Sequence, residues 1–239
     1  MANPTLSPDL AWAAGVFDGD GTVSGYPRKP GHSRVVQVTV YQATTPVLER
    51  FREVVGGHGG IYGPYRGRLY HWTTKRLDAV IAICEQLWPA LGTEKRQQFE
   101  LAVRGRPDLT SLIERLRADS LGVATRTRMS ELAWAAGFFD AEGSISASAS
   151  GPPSLEIPQA EVDGRPSSSL LRFRAALGRG RISGPRVVPS AWSKLPQYRW
   201  QAGSFEDVQF VAATLWTWLS ADKRADLRGA LGDYGLRRR

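Results

Sequence analysis

The chain has 239 residues, 42% of them hydrophobic, enough to fill the core of one large domain or two small ones. Lys and Arg total 31 against 23 Asp and Glu, a net charge of +8 that suits a polyanionic partner, nucleic acid before membrane. The single Cys84 excludes a disulfide framework, the three histidines lack metal-ligand spacing, and charges interrupt every apolar run before it reaches a membrane span.

In chain order the first predicted element is a helix over 8–18, with Ser7 as N-cap and Pro8 at its first position. Strands follow over 21–28 and 33–42. In the second, Val36, Val38 and Val40 alternate with Gln37, Thr39 and Tyr41, the pattern of a half-buried strand. A helix is predicted over 45–55, a second hairpin over 60–66 and 68–75 around Arg66 and Gly67, and helices over 77–88 and 93–104. Residues 106–128 read as a linker with a short helical stretch from Leu109 to Ala118. The same order then returns: helix 130–140, strands 143–150 and 154–161, helix 167–177, strands 180–188 and 196–202, and helices 205–219 and 221–231.

The return is visible in the residues themselves. LAWAAGVFDGDG (10–21) recurs as LAWAAGFFDAEG (132–143), with three differences, and a carboxylate is kept where Asp20 becomes Glu142. Residues 70–103 align without a gap to 198–231, returning Tyr70, Trp72, Trp88, Lys95 and Arg96 as Tyr198, Trp200, Trp216, Lys223 and Arg224. A period this long exceeds any solenoid repeat and marks a duplicated domain: residues 1–105 and 129–239, joined by 106–128. Tyr70, Trp72, Tyr198 and Trp200 are expected in the core, because they precede buried helices.

Ala11, Ala14 and Gly15 share one helical face, as do Ala133, Ala136 and Gly137. Such small faces allow two backbones to approach closely, so the two repeated helices are expected side by side at the domain interface. Trp12, Phe17, Trp134 and Phe139 are expected to anchor each helix in its own core. Close packing would bring Asp20 and Glu142 together at two helix C-termini, where carboxylates oppose the dipole at roughly 0.3–1 kcal/mol each and repel one another. A hard divalent cation removes both penalties, and oxygen-only ligands favour Mg²⁺. The spacing excludes an EF-hand, since Thr22 and Lys29 stand where that loop needs ligands.

The two motifs and the element order resemble the LAGLIDADG homing endonucleases in their single-chain, two-repeat form, over nearly the whole chain. The resemblance implies an α+β fold: a tandem duplication of an αββαββα unit, pseudo-two-fold, with a β-strand saddle for DNA. It implies a monomeric, site-specific DNA endonuclease that makes a double-strand break on double-stranded DNA, in the cytoplasm. It implies two or three Mg²⁺ ions at the repeat interface, with Mn²⁺ able to substitute, held by Asp20 and Glu142 with help from Gly19 and Ala141. Asp18 and Asp140 match the earlier acid of the motif and are assigned to the turn. Gln42 and Gln159, at the ends of second strands, and Lys95 and Lys223, opening the last helices, match further catalytic positions of the family.

If the valines face the core, the DNA-facing set in the first half is Thr22, Ser24, Tyr26, Arg28, Arg34, Gln37, Thr39, Tyr41, Arg66, Arg68, His71 and Thr73. In the second half it is Ser144, Ser146, Ser148, Ser150, Glu156, Arg181, Arg186, Lys194, Arg199 and Gln201. Arg and Gln read base edges in the major groove, which admits a two-stranded ribbon. Two rivals remain open at this point: an RNA maturase or transcription regulator of the same fold without cleavage, and a purely structural duplicated domain.

Overall fold

The computed structural model describes residues 6–27, 34–121, 126–147, 151–187 and 195–237. The first half runs α1 (Pro8–Asp20), β1 (Gly21–Tyr26), β2 (Val35–Gln42), α2 (Pro46–Val54), β3 (Gly60–Tyr65), β4 (Leu69–Thr74), α3 (Leu77–Leu87) and α4 (Thr93–Ala102). After α5 (Pro107–Leu121) come α6 (Arg128–Glu142), β5 (Ser144–Ser146), β6 (Ser154–Ala160), α7 (Ser168–Leu177), β7 (Arg181–Arg186), β8 (Gln197–Ala202), α8 (Phe205–Leu215) and α9 (Ala221–Arg237). Each half therefore carries one helix more than the αββαββα unit.

The starts of these helices follow local chemistry. Pro8 and Pro46 occupy first helical turns, where a missing N–H costs nothing. Thr127 and Ser130 form a reciprocal capping box on α6, and Ser167 and Ser204 cap α7 and α8 through their side chains. In the three-residue β3–β4 connection Arg66 and Gly67 take φ 51° and 76°, and the Arg68 N–H donates to the Tyr65 carbonyl at 3.2 Å, a turn whose two positive angles match the twist of the flanking strands.

Each half builds one antiparallel four-stranded sheet, in the orders β1-β2-β4-β3 and β5-β6-β8-β7. Val36, Val38 and Val40 are buried on one face, as the alternation predicts. On that face Phe17 packs with Phe51 and Phe99, and Phe51 meets Trp72 edge-on. In the second half Phe139 and Phe173 stack, and Phe173 meets Trp200 edge-on. Burying each such ring contributes roughly 1.5–3 kcal/mol. Trp72 and Trp200 are in the core as expected, while Tyr70 and Tyr198 are only partly buried against it.

Several boundaries differ from expectation. Both motif helices continue two residues further, to Asp20 and Glu142, so the acids close the helices instead of following them. The 109–118 stretch belongs to a 15-residue helix, α5, because Leu109, Leu112 and Ile113 bury one face. β5 is only three residues long, and α8 stops at Leu215 while α9 extends to Arg237. Among the described residues no helix is long and apolar enough to cross a membrane.

Candidate active site and nucleic-acid interface

Helices α1 and α6 pack against one another along their length. They are closest at two glycines. A Cβ on Gly15 would lie 2.0 Å from the Trp134 carbonyl oxygen, and one on Gly137 would lie 2.0 Å from that of Trp12. The helices stay close to their ends, where a Cβ on Gly19 would lie 2.6 Å from the Cβ of Ala141 and 2.9 Å from Glu142 Cγ. The next residue of α1 is Asp20, so the two terminal acids are brought together from opposite halves.

Each acid has a Gln and a Lys. Gln42 Nε2 donates to Asp20 Oδ2 at 2.5 Å, and the Gln159 side chain hydrogen-bonds to Glu142. Lys95 Nζ donates to the carbonyl of Gly21 at 2.5 Å, and Lys223 Nζ to that of Gly143; these carbonyls belong to the residues immediately after the acids. Burial, reinforced by the charge of Glu142, pushes Asp20 up to about 8, and burial also raises Glu142. Lys95 is buried and Lys223 partly buried, which lowers both, but carboxylates from both halves pull the other way: Lys95 feels Asp18, Glu142 and Asp20, and Lys223 feels Asp140, Asp226 and Asp20.

The earlier acids are not turn residues. Asp18 and Asp140 lie within the helices, and both are buried. Asp18 accepts the Gly92 N–H at 2.9 Å and Trp134 Nε1 at 2.8 Å. Asp140 accepts the Ser220 N–H at 2.9 Å and Trp12 Nε1 at 2.9 Å. Each carboxylate thus sits at the start of α4 or α9, where helix N–H groups lack partners and the dipole favours negative charge. Trp12 and Trp134, expected to anchor their own halves, instead bond across the interface. Phe17 and Phe139 do remain in their own cores.

Two arginines complete this arrangement. Arg50 lies 3.9 Å over the Trp12 ring and donates to Trp218 O at 2.5 Å. Arg172 lies 4.0 Å over Trp134, donates to Ala90 O at 2.5 Å, and forks onto Glu131 at 2.8 and 2.9 Å. The motif comparison missed both, although LERFR (48–52) and LLRFR (170–174) repeat the same Arg-Phe-Arg run.

The donor set suits a hard divalent cation. Two facing carboxylates held above their ordinary range are relieved by positive charge. Gly19 and Ala141 lie in last helical turns, whose carbonyls have no intrahelical partner. Among the described residues no group of three or more His, Cys, Asp and Glu could hold a metal ion, so a cation here would complete its shell with backbone, water or substrate oxygens.

On the sheet faces turned away from the helices the expected residues divide. Thr22, Ser24 and Tyr41 are exposed, and Arg66 and Arg68 stand exposed beside and in the β3–β4 turn. Tyr26, Gln37 and Thr73 form a polar chain, with Tyr26 Oη to Gln37 Oε1 at 3.2 Å and Gln37 Nε2 to Thr73 Oγ1 at 3.0 Å. Thr39 is buried to 3% exposure beneath that chain, bonded to Thr73, and does not reach the surface. Arg34 is turned back onto the Gly25 carbonyl with its Nε buried, so it ties the hairpin instead of projecting from it. In the second half Ser144, Ser146, Arg181 and Arg186 are exposed. Glu156 is engaged by Arg199 at 2.9 Å and Gln201 Nε2 at 3.0 Å. Arg28, Ser148, Ser150 and Lys194 lie outside the described residues. Tyr62 and Tyr65 also emerge on the first face around His71; a register shift between them hides this from simple alternation.

No family model and no curated protein matches the chain. Solved structures do. The LAGLIDADG meganuclease I-AabMI bound to uncleaved DNA superposes with a TM-score of 0.65 at 17% identity, covering 96% of this chain and 91% of that one. The LAGLIDADG homing endonuclease I-GzeII in complex with its DNA target gives 0.61 at 15% identity, over 94% and 88%. The meganuclease I-SmaMI bound to uncleavable DNA gives 0.58 at 18% identity, over 95% and 88%. With two packed motif helices, two four-stranded sheets and near-complete coverage of these neighbours, the chain has the fold of the LAGLIDADG homing endonucleases in single-chain form.

Proposed function

We propose that this protein is a site-specific DNA endonuclease that hydrolyses both strands of a long asymmetric site with Mg²⁺, or Mn²⁺ in its place. The observation that carries the reading is the convergence of Asp20 and Glu142 at two touching helix ends, each with its own Gln and Lys. The fold neighbours include I-SmaMI bound to cleaved DNA, and to an uncleaved target in the presence of calcium ions.

Asp20 and Glu142 would hold the cations, with the Gly19 and Ala141 carbonyls beside them. When bound, the cations supply charge neutralisation at the phosphodiester and activation of water. Gln42 fixes one oxygen of Asp20, and Gln159 orients Glu142. Lys95 and Lys223 would offer their N–H donors beside the pair, where negative charge builds on the phosphate in the transition state. The exposed set on the two sheets, with Arg66, Arg68, Arg181, Arg186, Arg199 and Gln201 as its donors, would lie along the duplex. The +8 charge steers the approach. Both halves are in one chain, so a monomer suffices. Their unlike faces imply an asymmetric target of roughly 20 bp, two helical turns.

The test is substitution of the acids. Asp20→Asn and Glu142→Gln should each abolish double-strand cleavage of a site selected from a random library, while affinity for that site stays near wild type. Full cleavage by either variant removes that acid from the mechanism.

A further inference from the structure

A row of rings crosses the face of the first sheet that is turned away from the helices. Pairing places Tyr41 of β2 opposite His71 of β4, and His71 opposite Tyr62 of β3. The neighbouring row, Val40, Trp72 and Ile61, points the other way, into the core or against it. Ring centroids of Tyr41, Tyr62 and Tyr65 lie 5.7, 5.6 and 5.0 Å from that of His71. The tyrosines are 40, 54 and 50% exposed, an apolar surface that single scattered side chains do not make. Burial holds His71 below the usual histidine range. A cleft of about 840 Å³ opens beside the row, lined by Gln37, His58, Tyr62, Tyr65, His71 and Thr73 among others.

The matching row of the second sheet has a different chemistry. Pro158 stands opposite Arg199, and Arg199 opposite Ser183. Arg199 is paired with Glu156, Gln201 bonds to Glu156, and Arg181 reaches Gln201 at 3.5 Å. One half therefore presents rings and the other a network of charges and amides.

We infer that the first half selects its part of the target by apolar contact between the Tyr41, His71, Tyr62 and Tyr65 row and thymine methyl groups in the major groove, whereas the second half selects by polar contacts from Arg181, Arg199 and Gln201. The inference rests on the endonuclease reading. Among base edges in the major groove, the thymine C5-methyl is the apolar one, and it is bound by apolar side chains; guanine and adenine edges call for Arg, Asn or Gln. The ring faces of the row match the former, while its hydroxyls and imidazole lack the bidentate fork that Arg, Asn and Gln offer to the latter. The tyrosine hydroxyls can also reach phosphate oxygens, a contact that carries no sequence information and that the loss of a base methyl leaves untouched.

The test uses the selected target with thymine replaced by deoxyuridine, one half-site at a time, so that only the methyl is lost. Kd should rise about fourfold for each contacted methyl, the equivalent of one buried CH₂, in one half-site and stay unchanged in the other. Tyr62→Ala and Tyr65→Ala, both at exposed positions, should weaken binding to the thymine target and erase the deoxyuridine penalty. Arg186→Ala, in the other half, should leave that penalty intact. Cleavage of the unmodified target with no methyl effect in either half-site, or a penalty that survives both tyrosine variants, overturns this inference alone. Absence of sequence-specific DNA binding overturns the endonuclease reading and this inference with it.

Discussion

Gly15→Ala tests the helix interface on which the candidate site depends. The added methyl would lie 2.0 Å from the Trp134 carbonyl oxygen, 2.8 Å from the Phe138 nitrogen and 2.9 Å from the Trp134 carbonyl carbon. The closest approach is about 1.4 Å short of ordinary contact. All three neighbours are backbone, so no side chain can rotate away, and the helices must separate by about an ångström or more. Overpacking of this kind costs about 1–3 kcal/mol. The separation also stretches the bonds from Trp134 to Asp18 and from Trp12 to Asp140, now 2.8 and 2.9 Å. Hydrogen bonds to charged groups contribute about 1.5–3 kcal/mol each, so the variant should lose on the order of half of a typical total stability of 5–15 kcal/mol. Urea unfolding followed by circular dichroism reads this as a lower midpoint. At a temperature where the variant is still folded, single-turnover cleavage should fall on the order of 10²-fold, because catalytic groups displaced by about 1 Å lose that much. A wild-type midpoint together with wild-type cleavage would refute the claim that the glycine contact sets the spacing of the acids.

Trp134→Phe keeps an aromatic ring but removes the donor to Asp18, and should lower stability by about 1.5–3 kcal/mol, read as a shifted urea midpoint; no shift would mean that the Gly92 N–H and the Arg172 guanidinium, 4.0 Å from Asp18 Oδ2, satisfy Asp18 without it. The pH response follows from carboxyls held above their ordinary 3.8, Asp20 at about 8 and Asp18 at about 6. The folded chain then binds more protons than the unfolded one, so this contribution is full below about pH 4 and is lost as pH rises through 6 to 8. In chelator the melting temperature should fall over that window, Mg²⁺ should restore it at the upper end, and Asp20→Asn should flatten the slope; a melting temperature that climbs with pH and ignores Mg²⁺ contradicts the assignment. Affinity for DNA should weaken with salt by about 0.9 log units per log unit of salt for each phosphate contacted; a flat titration would mean that the +8 charge is not a DNA footprint.

The repeated dodecapeptide made the helix pair legible, because small residues at helical spacing have few other uses than close approach, and the terminal acids came with it. Strand faces were legible where alternation was clean, as in Val36, Val38 and Val40. The bonds of Asp18 and Asp140 were not, since their partners Gly92, Trp134, Ser220 and Trp12 are 74 to 128 residues away and no local pattern links them. Thr39 looked accessible because nothing in a strand pattern shows that Thr73 and Gln37 cover it. Tyr62 and Tyr65 were hidden by the irregular register of β3. Arg34 read as a projecting cation because its acceptor, the Gly25 carbonyl, belongs to the backbone of the facing strand.

The reciprocal tryptophan bonds bear on how such a chain can be recombined. Asp18 caps a helix of its own half but depends on the other half for Trp134, and Asp140 depends likewise on Trp12. Compatibility between halves is therefore written in residues other than the terminal acids and their Gln and Lys partners. A transplanted half that brings its terminal acid, Gln and Lys but no matching indole would leave a buried carboxylate one donor short, at about 1–3 kcal/mol. Such a hybrid would inherit the chemistry and lose the registration of the two acids, whereas one that also preserves the Trp, Asp and Arg set could change its reading surface freely.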